Sequence, residues 1–187
     1  MEWKELQVSA LSNSESSPGH FVLVLEEPGT RRRLPIIIGA FEAQAIAIFM
    51  ERLQPPRPLT HDLFTQTLNT LNVAVERIEI YGLIDGAFAA RINLKDAHGN
   101  TYKQDARTSD AVALAVRSGA PVMVISEIFD QYSIGEETRK GIMRGSLLEY
   151  GLEELDLILS DLLEKEDYES AAKVRDVIKK KQGNQSK

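Results

Sequence analysis

The sequence predicts an α+β protein: a mixed or antiparallel sheet packed with helices, built from two β-β-β-α units, with a two-helix hairpin at the C-terminal end. Three observations predict it. Short apolar stretches bounded by glycine- and proline-bearing turns come in threes, once before residue 40 and again between 73 and 107. Each set leads into an alanine-rich helical stretch, Glu42-Ala43-Gln44-Ala45-Ile46-Ala47 in the first and Ser109-Asp110-Ala111-Val112-Ala113-Leu114-Ala115 in the second, which gives a weak internal repeat. From Gly151 the texture changes to leucines at spacings of three and four, the seam of a helical hairpin.

Leu6, Val8 and Ala10 alternate with other residues as in a strand; Phe21–Leu25 and Leu34–Ile38 are two further strands, with Ser16-Ser17-Pro18-Gly19 and Glu27-Pro28-Gly29 as turns. Phe41–Leu53 is helical and so apolar that burial on all sides is expected. Pro55-Pro56-Arg57-Pro58 stops it. Thr60 then fits an N-cap, with Leu59 and Phe64 as a hydrophobic staple, for a helix to about Asn72 whose apolar face holds Leu63, Phe64, Thr67, Leu68 and Leu71. Val73–Tyr81, Ala87–Leu94 and Thr101–Arg107 are strands joined by turns at Ile84-Asp85-Gly86 and Ala97-His98-Gly99-Asn100. A helix opens at Thr108 or Ser109 and ends near Ser118; Pro121–Ile125 is a strand and Glu127–Tyr132 a short helix.

The resulting segments are a domain over 1–134, a linker over 135–150, a hairpin over 151–182 and a disordered tail over 183–187. In the hairpin, Leu152, Leu155, Leu159 and Leu162 form one seam and Ala171, Val174 and Ile178 the other, with Asp167 as N-cap of the second helix. Two short helices with one apolar seam need a surface to cover it: the first domain, a second copy or another protein.

Composition narrows the function. Hydrophobic residues make up 43% and charged residues 27% of 187. No apolar run reaches the roughly 18 residues that cross a bilayer. Met1-Glu2-Trp3-Lys4-Glu5 lacks the basic-then-apolar order of a secretion signal. The expectation is a cytoplasmic protein without membrane association. There is no cysteine, which excludes disulfides and thiolate metal sites, and His20, His61 and His98 have no zinc spacing. A net charge of −6 argues against coating nucleic acid by bulk attraction, though a local groove is compatible with it. Arg31-Arg32-Arg33 reads as a solvated hairpin edge.

Chemistry concentrates at three helix starts, at Glu42, at His61-Asp62 and at Asp110. Burying the Glu42 carboxylate without a partner is costly, and Arg57 and Arg107 are the candidate partners. Asp105 and Arg107 are two apart on a strand and share a face; Ser109 can cap the next helix. If the starts converge they form a polar cleft of carboxylates, arginine and histidine. Glu42, Asp105 and Asp110 could then hold Mg²⁺ or Mn²⁺, which favour oxygen ligands, and a metal-activated water could attack a phosphodiester. The plainer reading of the same residues is helix capping plus one buried ion pair.

Leu34-Pro35-Ile36-Ile37-Ile38-Gly39 with Glu42-Ala43 and Ala45-Ile46-Ala47, then Pro56-Arg57-Pro58-Leu59-Thr60-His61-Asp62-Leu63, then Asp105-Ala106-Arg107-Thr108-Ser109-Asp110-Ala111 together resemble the bifunctional nuclease domain family, over about residues 1–134. The resemblance implies cleavage of DNA and RNA. It supplies motif membership rather than roles; with the clustering at the helix starts, a working assignment makes Glu42, Asp105 and Asp110 metal- or water-orienting carboxylates, Arg57 and Arg107 phosphate contacts and His61 an acid or base, and Asp62 joins the candidate catalytic set. Thr108 stands where the family usually has proline, an expected loosening of the helix start. Asp85-Gly86-Ala87-Phe88-Ala89-Ala90 lacks a threonine and tyrosine common after that turn. The C-terminal residues Leu155, Leu159, Leu162, Glu166-Asp167-Tyr168-Glu169, Ala171-Ala172 and Arg175-Asp176 resemble the UVR motif of the nucleotide-excision-repair proteins B and C. That implies a hairpin pairing with a protein partner or with itself, hence a homo-oligomer. The competing expectation is a non-catalytic regulatory or scaffold protein whose hairpin recruits a partner.

Overall fold

The computed structural model describes residues 2–14, 17–135, 150–164 and 168–185. The proposed Asp167 cap and nearly all of the 135–150 linker lie outside them. Among the described residues the chain forms strands β1 (Trp3–Asn13), β2 (His20–Glu26), β3 (Arg33–Gly39), β4 (Ala74–Ile84), β5 (Ala87–Lys95), β6 (Thr101–Arg107) and β7 (Val122–Ile125). The helices are α1 (Ala40–Met50), α2 (Thr60–Thr70), α3 (Thr108–Ser118), α4 (Ser126–Tyr132), α5 (Leu152–Glu164) and α6 (Tyr168–Gln185). The α+β expectation holds, and the order β-β-β-α recurs as β1-β2-β3-α1 and β4-β5-β6-α3.

Two compact units result, one of residues 1–7 with 40–131 and one of 8–39 with 132–187. Residues 8–39 therefore group with the C-terminal helices, and β1 contributes its two ends to different units.

In the first unit β7 runs antiparallel to β1, from Trp3 opposite Ile125 to Leu6 opposite Val122, and parallel to β4, from Ile78 opposite Val122 to Ile80 opposite Val124. β4, β5 and β6 continue as an antiparallel meander, so the sheet is mixed. Ile84 pairs with Ala87 around Asp85 and Gly86, whose φ values of 51° and 80° form the doubly left-handed two-residue turn that matches strand twist. The fully buried Ile78, Ile80 and Ala90 share one face of this sheet with Ile92. Glu79, between the two isoleucines, points to the other face. It too is buried, held by the Arg77 and Arg91 guanidiniums. Burial raises the Glu79 pKa, but hydrogen bonds from Arg91 and Arg77 outweigh it and hold the carboxyl below its ordinary value.

α3 packs on α1, α2, β4 and β5 and buries Ala111 through Ala115 without a break. It is thus α3, not α1, that is buried around its circumference. α1 buries only Ala43, Ala45 and Ile46, and leaves Phe41, Phe49 and Met50 exposed, because one face alone meets α3. The chain leaves α1 through Arg52 in a left-handed conformation, where glycine is usual. In α2 only Leu68 of the expected apolar face is buried; Leu63, Phe64 and Leu71 are exposed. Thr60 is the first helical residue rather than the N-cap, a position Leu59 takes, and the Asp62 carboxylate reaches back to accept the Leu59 N–H at 2.9 Å. α3 ends at Gly119 with φ 70°, the left-handed stop glycine favours.

In the second unit β2 and β3 form a fully registered hairpin from His20 opposite Gly39 to Glu26 opposite Arg33. The arginine run at its start is more engaged than a solvated edge. Arg33 bonds Glu26 at 2.7 Å and bridges Ile134 through backbone, while Arg32 donates to the Ser133 hydroxyl. α5 and α6 bury Leu155, Ile158 and Leu159 against Ala171, Val174 and Ile178, so the seam is covered by the pair itself. Leu157, off that seam, joins Val22, Val24 and Ile134. α6 continues to Gln185, so residues 183–185 of the expected disordered tail are helical. None of the described helices is long and apolar enough to cross a membrane.

Candidate active site

Three helix starts of the first unit do converge. β6 ends at Arg107, and the turn into α3 throws its side chain toward the first turns of both α1 and α3. The Arg107 guanidinium donates from Nη1 to Glu42 Oε1 at 2.7 Å, from Nε to Asp110 Oδ2 at 2.8 Å, and from Nη2 to Asp110 Oδ1 at 3.3 Å. Asp110 also lies 3.1 Å from His61 Nε2 on α2. The four side chains form one continuous chain, Glu42–Arg107–Asp110–His61, along the wall of a cleft of about 530 Å³. Phe41, Gln44 and Ala45 of α1 face them, and Pro58 to Thr60 close the side below α2.

The hydrogen-bond roles follow from the acceptors. A carboxylate only accepts, so the His61 nitrogen facing Asp110 carries a proton, and in the neutral ring Nδ1 then carries the lone pair. Asp110 first, then Glu42, raises the Arg107 pKa further above its already high value, and the group is a fixed cation. Three of its five N–H donors are used by these contacts, and the side chain is 68% exposed. Two N–H groups therefore remain for an anion. The charge balance is not basic: two carboxylates face one guanidinium, which leaves a single negative charge when His61 is neutral.

Other expected site residues lie elsewhere. Arg57 is exposed on the proline segment and does not line the cleft. Asp105 accepts from the Tyr81 hydroxyl at 3.0 Å, and this hydrogen bond raises the Tyr81 pKa. Sharing a strand face with Arg107 does not bring Asp105 to the same partner. Asp62 is claimed by Arg117 Nε at 2.6 Å and by the Leu59 N–H, and it does not line the cleft. The expected set of Glu42, Asp105 and Asp110 is accordingly not gathered. Among the described residues no three His, Asp or Glu side chains are grouped to hold a metal ion, and the two carboxylates that do approach each other share Arg107. The donor set as arranged does not fit Mg²⁺ or Mn²⁺. Ser109 makes no side-chain cap; α3 begins one residue earlier, after Arg107. Thr108, expected to loosen that start, ties it instead: it is buried and its hydroxyl donates to the Phe88 carbonyl at 2.6 Å.

Arg117 escapes a reading of the sequence. It is 3% exposed, and besides Asp62 it donates to the Ala113 and Ala45 carbonyls and lies 5.3 Å from the centroid of the Phe49 ring. One guanidinium thus locks α1, α2 and α3 and fixes where the cleft residues stand. A basic residue in the last turn of a helix ordinarily reads as a dipole partner; nothing local marks this one as buried.

The chain belongs to a known class. The family profile of the bifunctional nuclease domain matches residues 23–137, more than half of the chain, and the protein is a member of that family. It is 39% identical over 110 residues to an uncharacterized protein of Mycobacterium tuberculosis, covering 59% of this chain and 65% of that one. To bifunctional nuclease 1 of rice, Oryza sativa subsp. japonica, it is 26% identical over 113 residues, and to bifunctional nuclease 2 of the same plant 25% over 112, each covering 59% of this chain and 34% of the relative. The chain spans about two thirds of the mycobacterial relative and one third of the rice proteins. The match ends before α5, so the helical pair lies outside it.

Proposed function

We propose that this protein hydrolyses phosphodiester bonds of DNA or RNA in the cleft walled by Glu42, Arg107, Asp110 and His61. The observation that carries the reading is the continuous hydrogen-bonded chain of those four side chains on an open cleft, in a member of a nuclease family.

Each member has a task set by its chemistry. Asp110 fixes the ring of His61 so that Nδ1 presents a lone pair, the general-base geometry in which a third group orients the base. His61 takes a proton as a water oxygen bonds to phosphorus; the bond to the leaving oxygen breaks, that oxygen takes a proton from solvent water, and His61 returns its own to solvent. The two remaining Arg107 N–H groups donate to non-bridging oxygens as negative charge builds there. Glu42 holds the guanidinium from its other side. Because the carboxylates as arranged do not suit Mg²⁺ or Mn²⁺, no step is assigned to a metal.

The test is cleavage of single-stranded DNA and RNA by the purified chain, with a chelator and with added Mn²⁺. His61→Asn and Arg107→Ala should each abolish most of it. Cleavage by both variants at the wild-type rate would trace the activity to a contaminant.

A second reading concerns α5 and α6. Leu163, in the last turn of α5, and Tyr168, the first residue of α6, are 45% and 66% exposed although the seam itself is covered. We propose that this end of the pair is where the chain recruits a protein partner or a second copy. If Leu163→Ser with Tyr168→Ser leaves co-purifying proteins and the sedimentation profile unchanged, this reading fails.

A further inference from the structure

A cleft with one guanidinium and two carboxylates has little bulk attraction for a polyanion, so affinity for a nucleic acid needs another source. α1 supplies one. Phe41 lines the cleft, yet its side chain is among the most exposed of any large apolar residue here, at 86%. An isolated phenyl ring held in water is ordinary on a surface. On the lining of a cleft whose charged groups are a guanidinium and two carboxylates, with an imidazole beside them, it has a specific use. Helical spacing matters too. Phe41, Gln44 and Ala45 are related as i, i+3 and i+4, so α1 presents to the cleft an aromatic face, an amide and a small residue that leaves room between them. Gln44 is itself exposed, and its amide can both donate to and accept from a base edge.

We propose that Phe41 is a stacking platform for a nucleobase and Gln44 a contact to that base's edge, so that the cleft takes unpaired nucleotides. This deepens the nuclease reading and rests on it for the position of the phosphate. In a duplex the bases are stacked on one another and hydrogen-bonded, and none can lie on a phenyl ring without being extruded at a cost of a few kcal/mol. A strand without a complement meets no such cost. Stacking on an aromatic side chain is tolerant of base identity, because every base has a π face, and the same platform serves DNA and RNA. The acidic net charge fits as well: a protein that selects unpaired nucleotides by stacking does not need the basic surface that binds duplex non-specifically.

The experiment measures binding as well as cleavage, with the full chain. The probes are a fluorescent single-stranded oligonucleotide as DNA and as RNA, the same DNA strand made abasic throughout, and its duplex. Wild type should bind the base-bearing single strands about tenfold or more tightly than either the abasic strand or the duplex. Phe41→Ala should lose about tenfold for the base-bearing strands and nothing for the abasic one, and Phe41→Trp should restore binding. Phe41 is exposed, so neither substitution threatens the fold. Base-dependent binding through Phe41 with no cleavage would keep the platform and remove the hydrolytic reading. Cleavage lost in His61→Asn, with Phe41→Ala binding all four probes like wild type, would keep the hydrolysis and overturn the platform. Tighter binding to duplex than to single strand would overturn it as well.

Discussion

Arg107 and Arg117 flank the same helix. Arg107 precedes the first residue of α3 and Arg117 stands in its last turn; each takes a carboxylate from another element of the first unit, Glu42 from α1 and Asp62 from α2. Their surroundings are opposite. Arg117 is 3% exposed and directs Nη1 and Nη2 to two backbone carbonyls, whereas Arg107 is 68% exposed, so that its two N–H groups beyond the three contacts are open to water or a ligand. An ion pair removed from water loses a great deal when one partner is deleted, because the survivor stays buried and uncompensated. A pair left in water contributes little to stability and stays available for a ligand. The same residue types thus build architecture at one end of the helix and a reactive surface at the other.

The largest effect expected from that contrast is in stability. Arg117→Ala should cost about 2–3 kcal/mol, since it removes charged hydrogen bonds at the junction of three helices and leaves Asp62 without its cation. Arg107→Ala should cost less than about 1 kcal/mol. Urea denaturation of the three proteins decides it, and similar losses for the two variants would erase the distinction between the ends of α3.

Activity should sort the other way. Arg107→Ala and His61→Asn should each lower the turnover of a single-stranded substrate about 100-fold, the scale of removing one charge-stabilising donor or one general base. Asp62→Asn should reduce it only in proportion to the unfolded fraction. A turnover loss in Asp62→Asn beyond that fraction, measured below its melting temperature, would place Asp62 in the chemistry after all.

Much of this was legible in the residues. Asp85-Gly86 marked its turn because left-handed backbone narrows the choice of side chain. The cost of an unpartnered carboxylate on an apolar helix pointed to Arg57 or Arg107 as the partner of Glu42, and Arg107 is the one that meets it. What failed had a common cause, in that neighbours across the fold are not encoded in local pattern. Phe41, Phe49 and Met50 made α1 look buried all round, but the number of elements packed on a helix decides its burial, and α3 was the one surrounded. Asp105 shares a face with Arg107, yet Tyr81, reaching over β5 from β4, takes it. Arg57 matched the family motif and stays exposed. Arg117 carried no signal beyond its charge. The buried Glu79 did carry one, an acid between two strand isoleucines with Arg77 two residues away.

A smaller effect is expected with pH. Burial raises the Asp62 carboxyl pKa, but the Arg117 hydrogen bond, the Leu59 N–H and the Arg117 charge more than offset it, so the folded value lies below the ordinary 3.8. A depressed folded value means that the pair's stabilisation is complete above 3.8 and is lost as pH falls through the folded value. The gap in urea midpoint between wild type and Asp62→Asn should therefore be constant at neutral pH, begin to narrow below about pH 4, and close with further acidification. A gap that widened on acidification would reverse the assigned direction.

The smallest effect separates Asp105 from the cleft. Its carboxylate accepts from the Tyr81 hydroxyl, and that hydrogen bond, reinforced by the negative charge, keeps the phenol protonated above its ordinary 10.0; the nearby Arg91, whose guanidinium is 5.1 Å from the ring centroid, opposes the shift. Asp105→Asn removes the charge and weakens the acceptor, so Tyr81 should ionise at lower pH, which a tyrosinate absorbance titration subtracting that of Tyr81→Phe reads directly. Cleavage should stay within twofold of wild type, since Asp105 neither lines the cleft nor touches Arg107. A large loss of cleavage with an unmoved Tyr81 titration would mean that Asp105 leaves its tyrosine for the substrate, and the contrast drawn between the exposed and the buried end of α3 would no longer describe where the chemistry resides.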